Sequence, residues 1–231
     1  MNEGINRPDE EGEVESANSD LIKTIWEQCR NGQYESALAT LHKALKQSPK
    51  SLQLHLELAK VYDDQKNSEK TIEYCAKALK IAPANSMACA LMGSAYTRRH
   101  QLGKAVSSLL KALTLDPDNE YSYELLGRLA LTATMSVVER TPEYIGASIS
   151  VFGGPTVEIH RIQPAIQYYQ QGCTEKWQYL RAYFRFGMMY YHADNPEKLH
   201  ERIAATAQRG YGPAQEWLKE ISESTEGGEL S

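Results

Sequence analysis

The sequence predicts an all-α fold: an α-solenoid of stacked antiparallel helix pairs, interrupted once by a non-helical insertion. Three observations predict it. Pro49, Pro83 and Pro117 fall in arithmetic progression, with one constant interval between them. Each closes a similar phrase, ALKQSPKS, ALKIAPAN and ALTLDPDN, with Ala44-Leu45, Ala78-Leu79 and Ala112-Leu113 at the same spacing. After Leu131 the pattern breaks, and helical patterning resumes only near Pro164. The interval is that of a two-helix unit, and such units must stack to cover their apolar faces.

The elements follow from residue chemistry. Proline after the second helix of each unit stops it, because proline cannot donate the next backbone hydrogen bond. Ser51, Asn85 and Asn119 stand just beyond these prolines and suit the N-cap of the next helix. Small residues inside each unit let paired helices approach closely.

These residues resemble the tetratricopeptide-repeat family, whose unit is two antiparallel helices in about 34 residues. With each proline at repeat position 32, the units start at Asn18, Leu52 and Ser86. The family's small residue at position 8 falls on Ala59 and Gly93, with Ile25 departing from it. Its tyrosine at position 11 falls on Tyr62 and Tyr96, with Gln28 departing; its alanine at position 20 falls on Ala37 and Ala105, with Thr71 between. Leu41, Cys75 and Leu109 occupy position 24. The match covers residues 20–118 and reaches a fourth first helix through Leu126-Gly127. The resemblance implies a right-handed solenoid with a concave face lined by first-helix positions 2, 5, 9, 12 and 13.

Residues 136–162 hold β-branched and aromatic residues on either side of Gly153-Gly154-Pro155, which reads as a hairpin or structured loop. Pro164 to Tyr169 then resembles a second helix, and Gly187 with Tyr190 falls at the spacing of positions 8 and 11. EKLHERIAATAQRG ends at Gly210, a C-cap, and PAQEWLKEIS reads as a capping helix. Ala204-Ala205, Gly210 and Ala214 are also similar to SEL-type helix-pair repeats. The expected division is a disordered acidic tail (1–19), three repeats and the first helix of a fourth (20–135), and the insertion (136–162). Further repeat-like helices with a capping helix (163–222) and a flexible acidic tail (223–231) complete it.

Composition bounds the function. Hydrophobic residues at 42% and charged residues at 24% mark a globular chain. Residues 1–20 carry a net charge of −6 and residues 219–231 carry −3, which leaves +4 on the body of a chain whose total is −5. So weakly basic a body offers no electrostatic footprint for nucleic acid. No apolar run is long enough to span a membrane, and the start lacks the pattern of a signal peptide. A cytoplasmic protein with four reduced cysteines (Cys29, Cys75, Cys89, Cys173) is the expectation.

No GxGxxG, Walker-type loop, HExxH or GxSxG occurs, so no catalytic residue and no cofactor is expected. His192, Asp194, His200 and Glu201, joined by His160, form a weak metal-like cluster; a solvated helix–helix turn is the plainer expectation there. The resemblance places Ile22, Trp26, Lys60, Asp63, Asp64, Arg98, Tyr121 and Arg128 on the concave face as partner-binding candidates. That mixed surface suits a protein or peptide partner. The family's two-carboxylate clamp, which holds heat-shock chaperone tails, needs lysine, asparagine and arginine where this chain has Ile22, Trp26, Glu57, Met87 and Leu91. Clamp binding is therefore not expected. The leading reading is a non-enzymatic scaffold, adaptor or assembly chaperone. Its alternatives are a small enzyme or ligand-binding protein using residues 136–200, and a homo-oligomer formed through the insertion.

Overall fold

The structure, a computed structural model, describes residues 20–140, 148–150, 152–171 and 173–226. Among them the chain is all-α apart from one two-stranded hairpin, and it divides into two compact units between Pro83 and Ala84. The expected tail at 1–19 lies outside the described residues.

The first unit holds α1 (residues 20–30), α2 (Tyr34–Gln47), α3 (Leu52–Asp64) and α4 (Ser68–Ile81). Ile25, Ala37, Leu41, Leu58, Ala59, Val61, Cys75 and Ala78 are fully buried and form its core. Tyr62 stacks on Tyr74 with ring centres 5.6 Å apart, and His42 Nε2 lies 3.2 Å from the Tyr62 hydroxyl. The tyrosine of position 11 is thus a packing residue in this unit.

The second unit holds α5 (Ser86–Arg98), α6 (Leu102–Leu115), α7 (Glu120–Arg140), β1 (Ser148–Ser150), β2 (Thr156–Glu158), α8 (Ile159–Gln170), α9 (Lys176–Tyr191), α10 (Pro196–Gln208) and α11 (Gly212–Glu226). Its core runs from Ala105 to Trp217, with Tyr123, Leu126, Ile162, Phe184, Phe186 and Tyr190 among the fully buried side chains. α5 and α6 pair closely. A Cβ at Gly93 would come within 2.7 Å of Leu109 Cγ, which is why position 8 is small here.

The helix starts are capped as the sequence predicts. Ser51 Oγ accepts from Leu54 N at 3.3 Å, Asn85 Oδ1 from Ala88 N at 2.8 Å, and Asn119 Oδ1 from Ser122 N at 2.9 Å. The turn inside each unit repeats as well. Gly32, Lys66 and His100, each one full repeat from the next, have φ of 74°, 60° and 56°. At each turn the following amide reaches back to close the helix: Gln33 N to Gln28 O at 2.8 Å, Asn67 N to Tyr62 O at 2.9 Å and Gln101 N to Tyr96 O at 3.0 Å. These are Schellman closures, which need a left-handed residue. Glycine occupies that place once; lysine and histidine fill it at a steric cost.

The repeat breaks in α7. Thr134 stands where the turn residue of a fourth unit belongs, but it is helical and buried, and its hydroxyl donates to Ala130 O at 2.8 Å. With no turn former there, the helix runs on to Arg140. The insertion is correspondingly shorter than the expected 136–162: residues 136–140 belong to α7 and 159–162 to α8. Pro164 falls inside α8 rather than at its start, leaving the His160 carbonyl without its usual amide donor. At the other end α11 continues through Glu226, so residues 223–226 are helical rather than tail, and 227–231 lie outside the described residues.

Helix pairing also departs from expectation after α7. Among the described residues α7 packs along α9, not along α8, while α8 rests on α9 and α10 pairs with α11. A Cβ at Gly127 would stand 1.8 Å from Tyr183 O, and one at Gly187 2.0 Å from Tyr123 O. The two backbones touch at these glycines. Two position-8 glycines on successive first helices bring those helices together directly, and α8 is displaced from the partner it was expected to have.

The hairpin is antiparallel, with Ser148 opposite Glu158, Ile149 opposite Val157 and Ser150 opposite Thr156. Alternation sends Ile149 and Val157 into the core, at 8% and 2% exposure, and turns the polar residues outward. The Tyr190 hydroxyl donates to Pro155 O at 2.8 Å, tying the turn to α9. Ile149 and Val157 are thus buried in the chain's own core, while Phe152 in the turn is exposed.

Candidate functional site

Each unit gathers part of the expected binding face. In the first unit the centre is Glu57 on α3, only 1% exposed. Its carboxylate accepts from Trp26 Nε1 at 3.1 Å, Gln53 Nε2 at 2.6 Å and Lys60 Nζ at 3.0 Å. Lys60 Nζ also lies 5.9 Å from the Trp26 ring centre. Three donors, one of them charged, stabilise a carboxylate that would otherwise be very costly to bury. Trp26 and Lys60 therefore sit on one fixed network. Asp63 is half-buried and Asp64 exposed. Burial, then Asp64 and Glu57, raise the pKa of the Cys29 thiol on α1. Ile22 is half-buried on the same helix. A ligand carboxylate would meet Glu57 at the place where the family's clamp presents an amide.

In the second unit the centre is Ser94 on α5, which is buried. Its Oγ accepts from the Tyr121 hydroxyl at 2.9 Å and from Arg98 at 3.0 Å. Arg98 and Tyr121 are thereby brought together, while Arg128, about two helical turns beyond Tyr121, is exposed. Beyond this face α9 and α11 add residues that sequence reasoning missed. A cleft of about 420 Å³ is lined by Glu124, Trp177, Leu180, Arg181, Tyr211 and Glu216. Glu124 falls at concave position 5 of the fourth unit, so its place was legible; Trp177 precedes its repeat register, and Tyr211 lies in a turn, so neither was.

The metal-like cluster does not come together. His192 is 5% exposed rather than solvated, and its Nε2 lies 2.9 Å from the Tyr123 hydroxyl. That hydroxyl donates its one proton to Pro117 O at 3.0 Å, so His192 Nε2–H is the donor to it. Burial, then Lys198 and Arg202, push the His192 pKa down to about 4. The plain expectation of a solvated turn is corrected here: packing against Tyr123 and Tyr191 draws the ring inward. His160 pairs loosely with Glu158 at 3.5 Å, and Asp194 with Arg161 at 3.0 Å. Among the described residues no three histidine, cysteine or carboxylate groups are grouped to hold a metal ion. Among them, too, Cys29, Cys75, Cys89 and Cys173 form no disulfide. No described helix is long and apolar enough to cross a membrane.

Antiparallel helix pairs that recur at the spacing of the three prolines, with hydrogen-bonded polar side chains on their first helices, define a helix-repeat protein suited to protein interaction. Residues 88–119 match the model of the tetratricopeptide repeat, so the chain carries that repeat there. Residues 13–98 match a second model, described as regulator of microtubule dynamics protein 1-3. No curated protein matches the chain. Among solved structures, a thermophilic TPR protein of Thermus thermophilus is similar at 17% identity and a TM-score of 0.47, covering 82% of this chain and 98% of that one. MamA is similar at 19% identity and a TM-score of 0.43, covering 73% and 94%. A protein from Bacteroides ovatus is similar at 18% identity and a TM-score of 0.40, covering 89% and 96%.

Proposed function

We propose that the chain is a non-enzymatic scaffold, an adaptor or assembly chaperone, that holds a partner protein on the first-helix faces of its repeats. The observation that carries this reading is the fixing of the candidate side chains before any partner arrives. Trp26 and Lys60 are held by Glu57, and Arg98 and Tyr121 by Ser94. A surface ordered in advance loses less conformational entropy on binding, and aromatic and arginine side chains are the usual anchors of protein interfaces. Affinity capture from the native cell tests it. Partners retained by the unaltered chain are lost with Arg98→Glu combined with Arg128→Glu, two substitutions outside the cores. Retention of every partner by that variant and by Trp26→Phe, Lys60→Glu would remove the first-helix faces as the binding surface.

A second reading is favoured by the match over residues 13–98. A family described as regulating microtubule dynamics makes a microtubule-associated partner a specific candidate. Co-sedimentation with polymerised tubulin checks it: the chain pellets with the polymer in a saturable, salt-sensitive manner, or the candidate is removed.

A further inference from the structure

The cleft between α7, α9 and α11 in the second unit has a chemistry of its own. Its floor carries Glu124, which accepts a hydrogen bond from the Tyr211 hydroxyl. Its walls are Trp177, 49% exposed, Leu180 and Tyr211, and its rim carries Glu216. Arg181 runs along the same wall and is already engaged. Its Nε lies 2.7 Å from Glu216, its Nη2 3.2 Å from Glu220, and its guanidinium stacks 4.9 Å from the Trp177 ring centre.

Arg181 shows what this surface holds well: a cation between an aromatic face and carboxylates. The Glu124 side of the cleft repeats those components, a carboxyl beside Tyr211 and Trp177. Yet Glu124 is met by a neutral phenol and forms no ion pair among the described residues. Burial, set against the Tyr211 hydrogen bond, holds its pKa above the usual carboxylate range, with Glu120 adding to the rise and Arg128 opposing it. A half-buried carboxyl in that condition gains from an incoming positive charge. The volume, about 420 Å³, is at the scale of a small ligand or a long side chain with its neighbours. Leu180 offers apolar surface to an aliphatic stem, as long basic side chains require.

We propose that this cleft receives a basic side chain, lysine or arginine, presented by the partner protein, with Glu124 as its counter-ion and Trp177 and Tyr211 as its aromatic walls. The assignment deepens the scaffold reading and rests on it. It names a cationic anchor where the family's clamp would take an anionic one.

The test uses the full chain and three probes: the Nα-acetyl methylamides of lysine, norleucine and glutamate. Binding is followed by the Trp177 indole N–H resonance, assigned with Trp177→Phe. The lysine probe shifts it saturably, and the norleucine and glutamate probes bind at least about tenfold more weakly. Glu124→Gln, which keeps the acceptor for Tyr211, weakens the lysine probe about tenfold and leaves norleucine unchanged. Lowering the pH weakens the lysine probe as Glu124 protonates, beginning above the range of an ordinary carboxyl. Equal binding of norleucine and lysine, or lysine binding untouched by Glu124→Gln in a chain whose Trp26 resonance is unaltered, overturns the site. Should Glu124→Gln fail to fold, Trp177→Ala at its exposed position decides the matter, read as loss or retention of lysine binding by calorimetry. The site and the scaffold fail separately. Partners captured through Arg98 and Arg128 with no lysine preference here sink the cation site alone. A lysine-selective cleft in a chain that captures no protein sinks the scaffold reading instead.

Discussion

Glu57 and His192 are both polar and buried, but their neighbours accommodate them differently. Glu57 has three donors, so removing its carboxylate deletes three hydrogen bonds at once and leaves a gap at a buried position. Glu57→Ala lowers stability by about 2–3 kcal/mol, while Trp26→Phe, which loses one hydrogen bond, costs about 1 kcal/mol. Urea denaturation midpoints check the ordering. His192 is held neutral. Its pKa falls from 6.5 to about 4 on folding, so the unfolded chain takes up the proton first. Stability is therefore full above pH 6.5, declines as the pH falls toward 4 and is flat in this respect below that, with a total of up to about 3 kcal/mol. The fall in melting temperature between neutral and acidic pH is smaller for His192→Gln; an identical fall would show the ring to be solvated. At this scale the sequence is only partly legible. Glu57 was visible only as a mismatch to the clamp pattern, because nothing in one helix announces donors from another. His192 looked like a turn residue, because its burial is decided by Tyr123, 69 residues away.

Among the helices, two sets of positions carry contrasting predictions. Gly127 and Gly187 are places where the α7 and α9 backbones meet, and a Cβ there would strike carbonyl oxygens at 1.8 Å and 2.0 Å. Backbone cannot step aside as a side chain can. Gly127→Ala or Gly187→Ala therefore costs more than about 3 kcal/mol, against about 1–3 kcal/mol for Gly93→Ala, whose nearest neighbour is the side chain of Leu109 rather than backbone. Thermal midpoints of the three variants check the ordering. Lys66 and His100 run the other way. Both hold the left-handed turn that Gly32 fills in the first repeat. Lys66→Gly and His100→Gly each stabilise by up to about 1 kcal/mol, read as a rise in thermal midpoint. The helices themselves were legible because proline, cap residue and small residue recur in one register. α7 was misjudged at its end because Val137 and Val138 suggest strand, whereas the absent turn former at Thr134 decides the matter.

The whole chain divides into two compact units, and in a chain of stacked repeats a lesion in one stretch need not be felt equally in another. Leu126 is fully buried in the second unit, and Leu126→Ala costs about 3 kcal/mol. The denaturation midpoint reported by Trp217 falls further than that reported by Trp26, when each is followed with the other tryptophans changed to phenylalanine. Coincident shifts would mean a single cooperative body. The repeat architecture was legible along the first half because every unit restates the same steric problem. The second half was harder. There α7 pairs with α9 across an intervening hairpin and helix, and no short-range signal encodes so distant a choice of partner.

The hairpin gives that choice a practical consequence. Ile149 and Val157 plug the core, and the Pro155 carbonyl anchors the far end of α9 through Tyr190. Cutting out residues 140–160 would therefore remove a wedge from the middle of the second unit. A shortened chain of that kind would change its light scattering through exposed core, whether or not the full-length protein ever assembles with itself. Charged substitutions at the outward Ser148 and Thr156 leave the wedge seated and probe its surface alone.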